Sequence, residues 1–187
     1  MTASPPHLVI RPIEARDFAA VSLITVESYR PFIRPDDDYF ALLADTERRA
    51  SASEIVVAEV SGQVVGSLTM VEWGSPYADV AQQDELEFRM IAVNPRARGH
   101  GVGTALVEYG IRVARARGRS RVVLSTMDVM VEARRIYDRL GFAEAPDRRW
   151  HPAISVLTFP LHRGATGQRS QQNSADDPRK VTESRDF

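Results

Sequence analysis

Three glycines at alternate positions, Gly99, Gly101 and Gly103, are the residues whose type and spacing speak first of chemistry. They follow Glu85-Leu-Glu-Phe-Arg-Met-Ile-Ala-Val93, in which Leu86, Phe88, Met90 and Ala92 alternate with Glu87, Arg89, Ile91 and Val93. That period of two is the pattern of a pleated strand. Asn94-Pro95 stops the strand, because proline donates no hydrogen bond and restricts the residue before it. After the glycines, Val102, Ala105, Leu106, Tyr109 and Val113 mark one face of a helix. A strand that feeds a glycine turn into a helix N-terminus builds an anion site. Unpaired amides and the helix dipole supply positive charge, and the missing side chains admit a phosphate closely. A pyrophosphate is the expected guest.

The spacing discriminates between pyrophosphate carriers. A mononucleotide loop requires Gly-x-x-x-x-Gly-Lys-Ser/Thr, and the single lysine of the chain is Lys180. A dinucleotide fingerprint requires Gly-x-Gly-x-x-Gly. Counting from Gly101 puts Leu106 at the third position, and counting from Gly99 puts Thr104 there. What the chain does carry is Arg98-x-x-Gly101-x-Gly103 after Ile91-Ala92-Val93. This resembles the coenzyme A pyrophosphate loop of the GNAT superfamily of N-acetyltransferases, written there as Gln/Arg-x-x-Gly-x-Gly/Ala. A second signature of that family, Asn-x-x-Ala-x-x-x-Tyr-x-x-x-Gly-Phe, is matched by Ala133, Tyr137, Gly141 and Phe142, with Met130 in the place of the asparagine. The resemblance covers about residues 8–161.

It implies an α/β fold of the GNAT-like α+β kind. The expected sheet is mixed and mostly antiparallel, with one parallel pair splayed around acyl-CoA and about four flanking helices. It implies acetyl-CoA as co-substrate. The backbone of Ile91 would hold the acetyl carbonyl, and Ala92 and Val93 would pair with the pantetheine amides. The segment Arg98, Gly99, His100, Gly101, Val102, Gly103 and Thr104 would hold the pyrophosphate, with the Arg98 and Arg96 side chains free to assist. Glu87 matches the position of a general base and Tyr137 that of the acid that protonates the leaving thiolate. For each there is a plain alternative: Glu87 as an ion-pair partner of neighbouring Arg89 or of an arginine across the sheet, and Tyr137 as a core aromatic. The implied reaction is direct transfer to a primary amine in a ternary complex, since no cysteine is available for an acetyl-enzyme. The amine belongs to a small molecule or a protein. Two other readings stay open: an acyl-CoA-binding sensor without turnover, and a Rossmann-type oxidoreductase suggested by the glycine turn and Asp128.

The rest of the chain has to position these groups. At 187 residues, 43% hydrophobic and with net charge −1, it holds one ordinary globular domain. The charge balance gives no reason to expect nucleic acid, no apolar run suits a membrane, and four scattered histidines without cysteine suggest no metal. The cytoplasm and a monomer or homodimer are the default expectations. Residues 1–7 are expected to be a flexible N-terminus, 8–163 the catalytic domain and 164–187 a disordered tail rich in Ser, Gln, Asn, Asp and Arg. A first strand over 8–11 precedes a helix that Asp17 would cap, carrying Phe18, Val21, Leu23, Ile24 and Tyr29. Asp36-Asp-Asp38 opens a second helix beginning at Tyr39, and 55–60 with 64–73 form a hairpin about Ser61-Gly62. The strand over 121–125 is apolar enough to be buried and parallel to its neighbour, and 154–159 is a last strand. In the family the two N-terminal helices border the acceptor, which makes Tyr29, Phe32 and Tyr39 candidate substrate contacts. Removal of residues 164–187 should move the melting temperature by no more than about two degrees. A drop of several degrees in thermal denaturation would mean that this segment is docked on the domain.

Overall fold

The computed structural model describes residues 7–34 and 38–161. Seven strands form one sheet in the order β1-β2-β3-β4-β5-β7-β6. These are β1 (Leu8–Pro12), β2 (Glu54–Val60), β3 (Gln63–Glu72), β4 (Glu85–Val93), β5 (Arg121–Met127), β6 (Ala143–Glu144) and β7 (Ile154–Pro160). Every neighbouring pair is antiparallel except β4 with β5. The expected α/β GNAT-like sheet with its parallel pair is therefore present. The flanking helices among the described residues number five rather than about four: α1 (Phe18–Tyr29), α2 (Tyr39–Ala44), α3 (Thr46–Ala52), α4 (Val102–Ala116) and α5 (Val131–Leu140). The short α3 is mostly polar, and Asp45 caps it by accepting from the Arg48 amide at 3.1 Å.

One face of the sheet is covered by α4 and α5 over a core that includes Leu68, Leu86, Phe88, Leu106, Leu124 and Tyr137. The other is covered by α1 to α3 over a smaller cluster of Leu43, Val71, Tyr77 and Met90. The buried stripe of α4 is centred on Leu106, Val107, Gly110, Ile111 and Ala114. The expected stripe is thus displaced, and Ala105, Tyr109 and Val113 lie at its margin. Asp17 does not cap α1 with its side chain. It is buried, accepts from Arg11 at 2.6 and 3.0 Å and from the Glu14 amide at 2.8 Å, and so ties the chain after β1 to the sheet. These bonds from Arg11, above all, hold its carboxyl below the usual range. Leu23, expected on the apolar face of α1, is 63% exposed. The Ser61-Gly62 turn is as expected, with both residues at positive φ (50° and 77°) as a two-residue hairpin needs. Asp36 and Asp37, and the segments 1–6 and 162–187, lie outside the described residues.

Strict alternation along β4 fails at one residue. Ser67 pairs with Ala92 but Thr69 with Arg89, so Leu68 alone faces both Met90 and Ile91. This is a β-bulge, and Met90 takes a left-handed φ of 49° within it. The extra residue exchanges the faces. Leu86 and Phe88 belong to the α4 side, Met90 drops into the α1 side, and Ile91 and Val93 return to the α4 side.

Helix α4 lies close on the sheet because Gly110 sits over Phe88. A Cβ added at Gly110 would come within 2.4 Å of the Phe88 ring. Gly110→Ala should therefore destabilise by about 1–3 kcal/mol through overpacking, although alanine is the better helix former by about 1 kcal/mol. Urea denaturation measures it, and a gain in stability would show that the helix shifts freely.

Candidate active site

The parallel pairing of β4 with β5 is short. It runs from Glu85–Arg121 to Phe88–Leu124 and stops. Past that point β4 continues beside β3 as far as Val93, and β5 continues beside β7 as far as Met127. The two strands therefore separate where the Met90 bulge begins, and each turns an unshared backbone edge toward the gap. Ser125 on the β5 side of this gap has a buried hydroxyl with no hydrogen-bond partner among the described residues. Ile91, Ala92 and Val93 form the opposite edge, with Ala92 buried and the other two half-buried. The Ser28 hydroxyl of α1 donates to the Val93 carbonyl at 3.3 Å and steadies the end of the strand.

Beyond Asn94, whose side chain accepts from the Arg96 amide at 3.0 Å, the chain makes one short 3-10 turn and enters the glycine segment. Gly99 and Gly101 have φ of 78° and 79°, a region that favours glycine, and Gly101 is the residue from which α4 starts. The first amides of α4, from Val102 onward, have no acceptor within the helix and point out of its N-terminus. Arg98, Gly99, His100 and Gly101 are exposed, with His100 Nδ1 2.9 Å from the Arg98 carbonyl. Val102 and Gly103 are buried, so they offer backbone only. A Cβ at Gly103 would meet Ile136 Cδ1 at 2.9 Å, so the third glycine serves the close approach of α4 to α5. That approach brings in a residue the sequence did not reveal. Arg139, in the last turn of α5, donates to Thr104 Oγ1 at 3.3 Å and so lies beside the turn. Its distance of thirty-five positions from Thr104 leaves no local signal.

Tyr137 is buried beneath α5, its ring 5.7 Å from that of Phe142. Burial pushes its hydroxyl pKa well up, so it stays protonated. Tyr29 of α1 has its pKa pushed up by burial first, and the charges of Tyr39 and Tyr137 act in the same direction. Tyr29 and Tyr39 meet edge-on at 6.3 Å, whereas Phe32 is 39% exposed at the end of α1. Met130 begins α5 without a side-chain cap.

Glu87 is fully buried on the α1 face of β4. Its Oε2 accepts from three successive amides, Asp79 at 3.0, Val80 at 3.0 and Ala81 at 2.9 Å. Its Oε1 lies 3.4 Å from Arg89 Nη1, and Arg89 also pairs with Asp79. The loop 79–81 is thus a small anion nest filled by the protein's own carboxylate. Burial raises the Glu87 pKa, against the opposing pull of Arg89 and of the amides. Glu85, one turn of the pleat away, accepts from the Gln82 amide at 2.9 Å and from Arg148 at 2.8 and 2.9 Å. Arg148 reaches the Val80 carbonyl as well, so side chains of β4 and of the segment before β7 hold the loop from both sides. Directly under the bulge, the wholly buried Arg49 donates to the Leu43 carbonyl at 3.0 Å and contacts Met90 Sδ at 3.2 Å.

Comparison with known proteins agrees with this geometry. The model of the acetyltransferase (GNAT) family matches residues 19–142. The chain belongs to the GNAT family. Among its relatives, the mycothiol acetyltransferase of Cellulomonas flavigena is 39% identical over 112 residues, which is 59% of this chain and 30% of that protein. Human N-acetyltransferase 8B is 30% identical over 95 residues, 51% of this chain and 40% of the relative. The chain thus spans well under two thirds of either relative. A GNAT acetyltransferase from Staphylococcus aureus superposes with TM-score 0.67 at 15% identity, over 83% of this chain and all of that one. The yncA protein of Salmonella typhimurium, solved with its cofactor acetyl-CoA, gives TM-score 0.62 at 22% identity over 87% and 99% of the two chains. At such identities the structures attest the fold. That fold removes the Rossmann alternative, because a dinucleotide-binding oxidoreductase needs a doubly wound parallel sheet and this sheet has one parallel pair.

Acetyl-CoA should raise the melting temperature, since a ligand selective for the folded state stabilises it by mass action. Gly101→Asp should abolish that rise. Aspartate tolerates positive φ better than most residues, and no atom lies within 4 Å of the added Cβ, so the fold should survive while negative charge occupies the anion site. An undiminished rise in a folded variant would place the phosphates elsewhere.

Proposed function

We propose that this GNAT domain transfers an acetyl group from acetyl-CoA to a primary amine by direct attack in a ternary complex. The observation that carries this reading is the gap between β4 and β5, bordered by unshared backbone and leading to a glycine turn at a helix N-terminus. An extended amide-bearing chain fits the first and a pyrophosphate the second.

The donor supplies an activated thioester carbonyl when bound. Ile91 holds the carbonyl oxygen through its backbone, and a fixed amide stabilises developing negative charge without reorganising. Ala92 and Val93 pair with the pantetheine arm. The backbone from Arg98 to Thr104 binds the phosphates, assisted by the side chains of Arg98, Arg96 and Arg139. Glu87 removes the proton of the attacking amine through Oε1, the oxygen not taken by the loop amides. The raised pKa that burial imposes brings it nearer to the useful range of a base. Tyr137 gives its proton to the departing thiolate, the role its match to the family tyrosine implies. Burial disfavours the phenolate left behind, so the proton must be regained promptly. Tyr29 and Tyr39, packed on the α1 side of the sheet, border the amine. A second reading, acyl-CoA binding without turnover, draws on the uncapped Met130 at the start of α5.

The test is thiol release from acetyl-CoA with a panel of small amines and peptides, and release with none of them would favour the sensor. Glu87→Gln retains an oxygen for the three loop amides and removes the base. It should lower kcat/KM by about a hundredfold to ten-thousandfold near neutral pH, with acetyl-CoA affinity within a few-fold of the parent. Higher pH should restore part of the rate, because more amine is then already neutral. Tyr137→Phe should show a loss that high pH does not restore. Full activity of Glu87→Gln at every pH would leave Glu87 as an anchor of the loop and nothing more.

A further inference from the structure

On the α5 face of the sheet, at the carboxyl end of β5, there is a cavity of about 390 Å³ lined by Thr126, Asp128, Arg134, Glu144, Arg149 and Ser155. None of these residues is assigned to the donor or to the chemistry, and the volume falls within the range of small-molecule sites. Thr126 and Ser155 are a cross-strand pair between β5 and β7, so their hydroxyls rise from the sheet side by side. Thr126 is 5% exposed, yet its Oγ1 has no hydrogen-bond partner among the described residues. A buried hydroxyl left unpaired costs about 1–3 kcal/mol, so a ligand that engages it gains accordingly.

Of the neighbouring oxygens, those of Glu144 are the ones short of donors. Ser155 Oγ donates to Asp128 Oδ1 at 2.7 Å, has Glu144 Oε1 at 3.2 Å, and accepts from Arg149 Nη2 at 3.0 Å. Asp128 is the nearer and is further satisfied by Arg149 Nη2 at 2.8 and 3.0 Å. Glu144 keeps only the longer contact to Ser155 and an ion pair of 3.6 Å with Arg134, beyond a good hydrogen bond. The cavity thus presents one unpartnered hydroxyl, that of Thr126, and one weakly paired carboxylate, that of Glu144, and both can accept from N–H donors. A primary ammonium carries three. The same walls carry Arg134 and Arg149, so the charge of the lining is balanced. A simple cation would meet two guanidiniums and a simple anion two carboxylates. A molecule bearing both charged groups on a single carbon meets neither penalty.

We propose that this cavity is a second ligand site that binds a small zwitterion of the α-amino-acid class. The ammonium sits on Thr126 and Glu144, and the carboxylate faces Arg134 and Arg149. Asp128 positions Arg149 and Ser155 and does not itself contact the ligand.

Calorimetry on the full chain with glycine, L-alanine, L-serine and L-glutamate tests this, with ethylamine and propionate as molecules that each carry one of the two charges. At least one amino acid should bind, and both single-charge molecules should bind about tenfold more weakly or not at all. Thr126→Val, which keeps shape and strand preference, should weaken the amino acid by about tenfold and leave the acetyl-CoA-induced melting shift unchanged. Glu144→Gln, at a residue exposed enough not to threaten folding, should do the same. Absence of binding by every amino acid overturns the proposal. So does equal binding of ethylamine or propionate, or undiminished binding by both variants. Because the acetyl-CoA shift is read separately, a failure here is distinct from a failure of the donor site.

Discussion

Beyond Phe88 the backbone of β4 has no partner in β5, and the proposed donor site rests on that loss of pairing. A sheet interior normally satisfies every amide, since an unpaired buried backbone group is costly. Here the interruption is held in place by a residue inserted at Met90 with a left-handed φ of 49°. Such a conformation in a non-glycine residue costs on the order of 1–3 kcal/mol and persists only when its surroundings hold it. Those surroundings are visible: Met90 packs with Leu43, Val71 and Tyr77, and Arg49 closes over its sulfur while binding the last carbonyls of α2. α2 and α3 thus act as the brace of the bulge.

The half of β4 that precedes the bulge serves a different purpose. Glu85, Glu87 and Arg89 all lie on one buried face, a placement that would be prohibitive for isolated charges. Each is answered. Glu87 takes three amides and Arg89, Glu85 takes Gln82 and Arg148, and Arg89 takes Asp79. The outcome is a loop clamped from beneath by the strand and from the side by Arg148. Removing one member of such a buried network costs about 3–5 kcal/mol, because the remaining charge is left uncompensated. Glu87 accordingly joins two roles, wall-builder on one oxygen and proposed base on the other.

On the opposite face, close packing replaces charge. Gly66, Gly103 and Gly110 each lack a Cβ where one would crowd a neighbour, which lets α4 settle on β3, α5 and β4 respectively. The descent of α4 sets the height of the glycine turn, and its contact with α5 brings Arg139 beside Thr104. The proposed phosphate site therefore combines backbone groups that are local in sequence with a guanidinium that is not.

Much of the fold was legible in the residues alone. The strand over 85–93, the Asn94-Pro95 stop, the Ser61-Gly62 hairpin and the helix that follows the glycines all follow from periodicity and turn chemistry within one element. The glycine turn was legible for the same reason, since its positive φ values and open amides are local properties. What the sequence could not disclose was every feature that depends on a second element. The bulge breaks a period that the residue types keep intact, because it is fixed by register against β3. Asp17 reads as a helix cap until Arg11 competes for it. Glu87 reads equally as a base or as half of an ion pair until the amides of 79–81 fold over one of its oxygens. Arg139, Arg148 and the Thr126–Ser155 pair acquire meaning only by proximity across tens of residues. Local conformational preferences act over a few bonds and leave a periodic trace. Charge pairing and desolvation act through space, and only the tertiary structure decides which groups share that space.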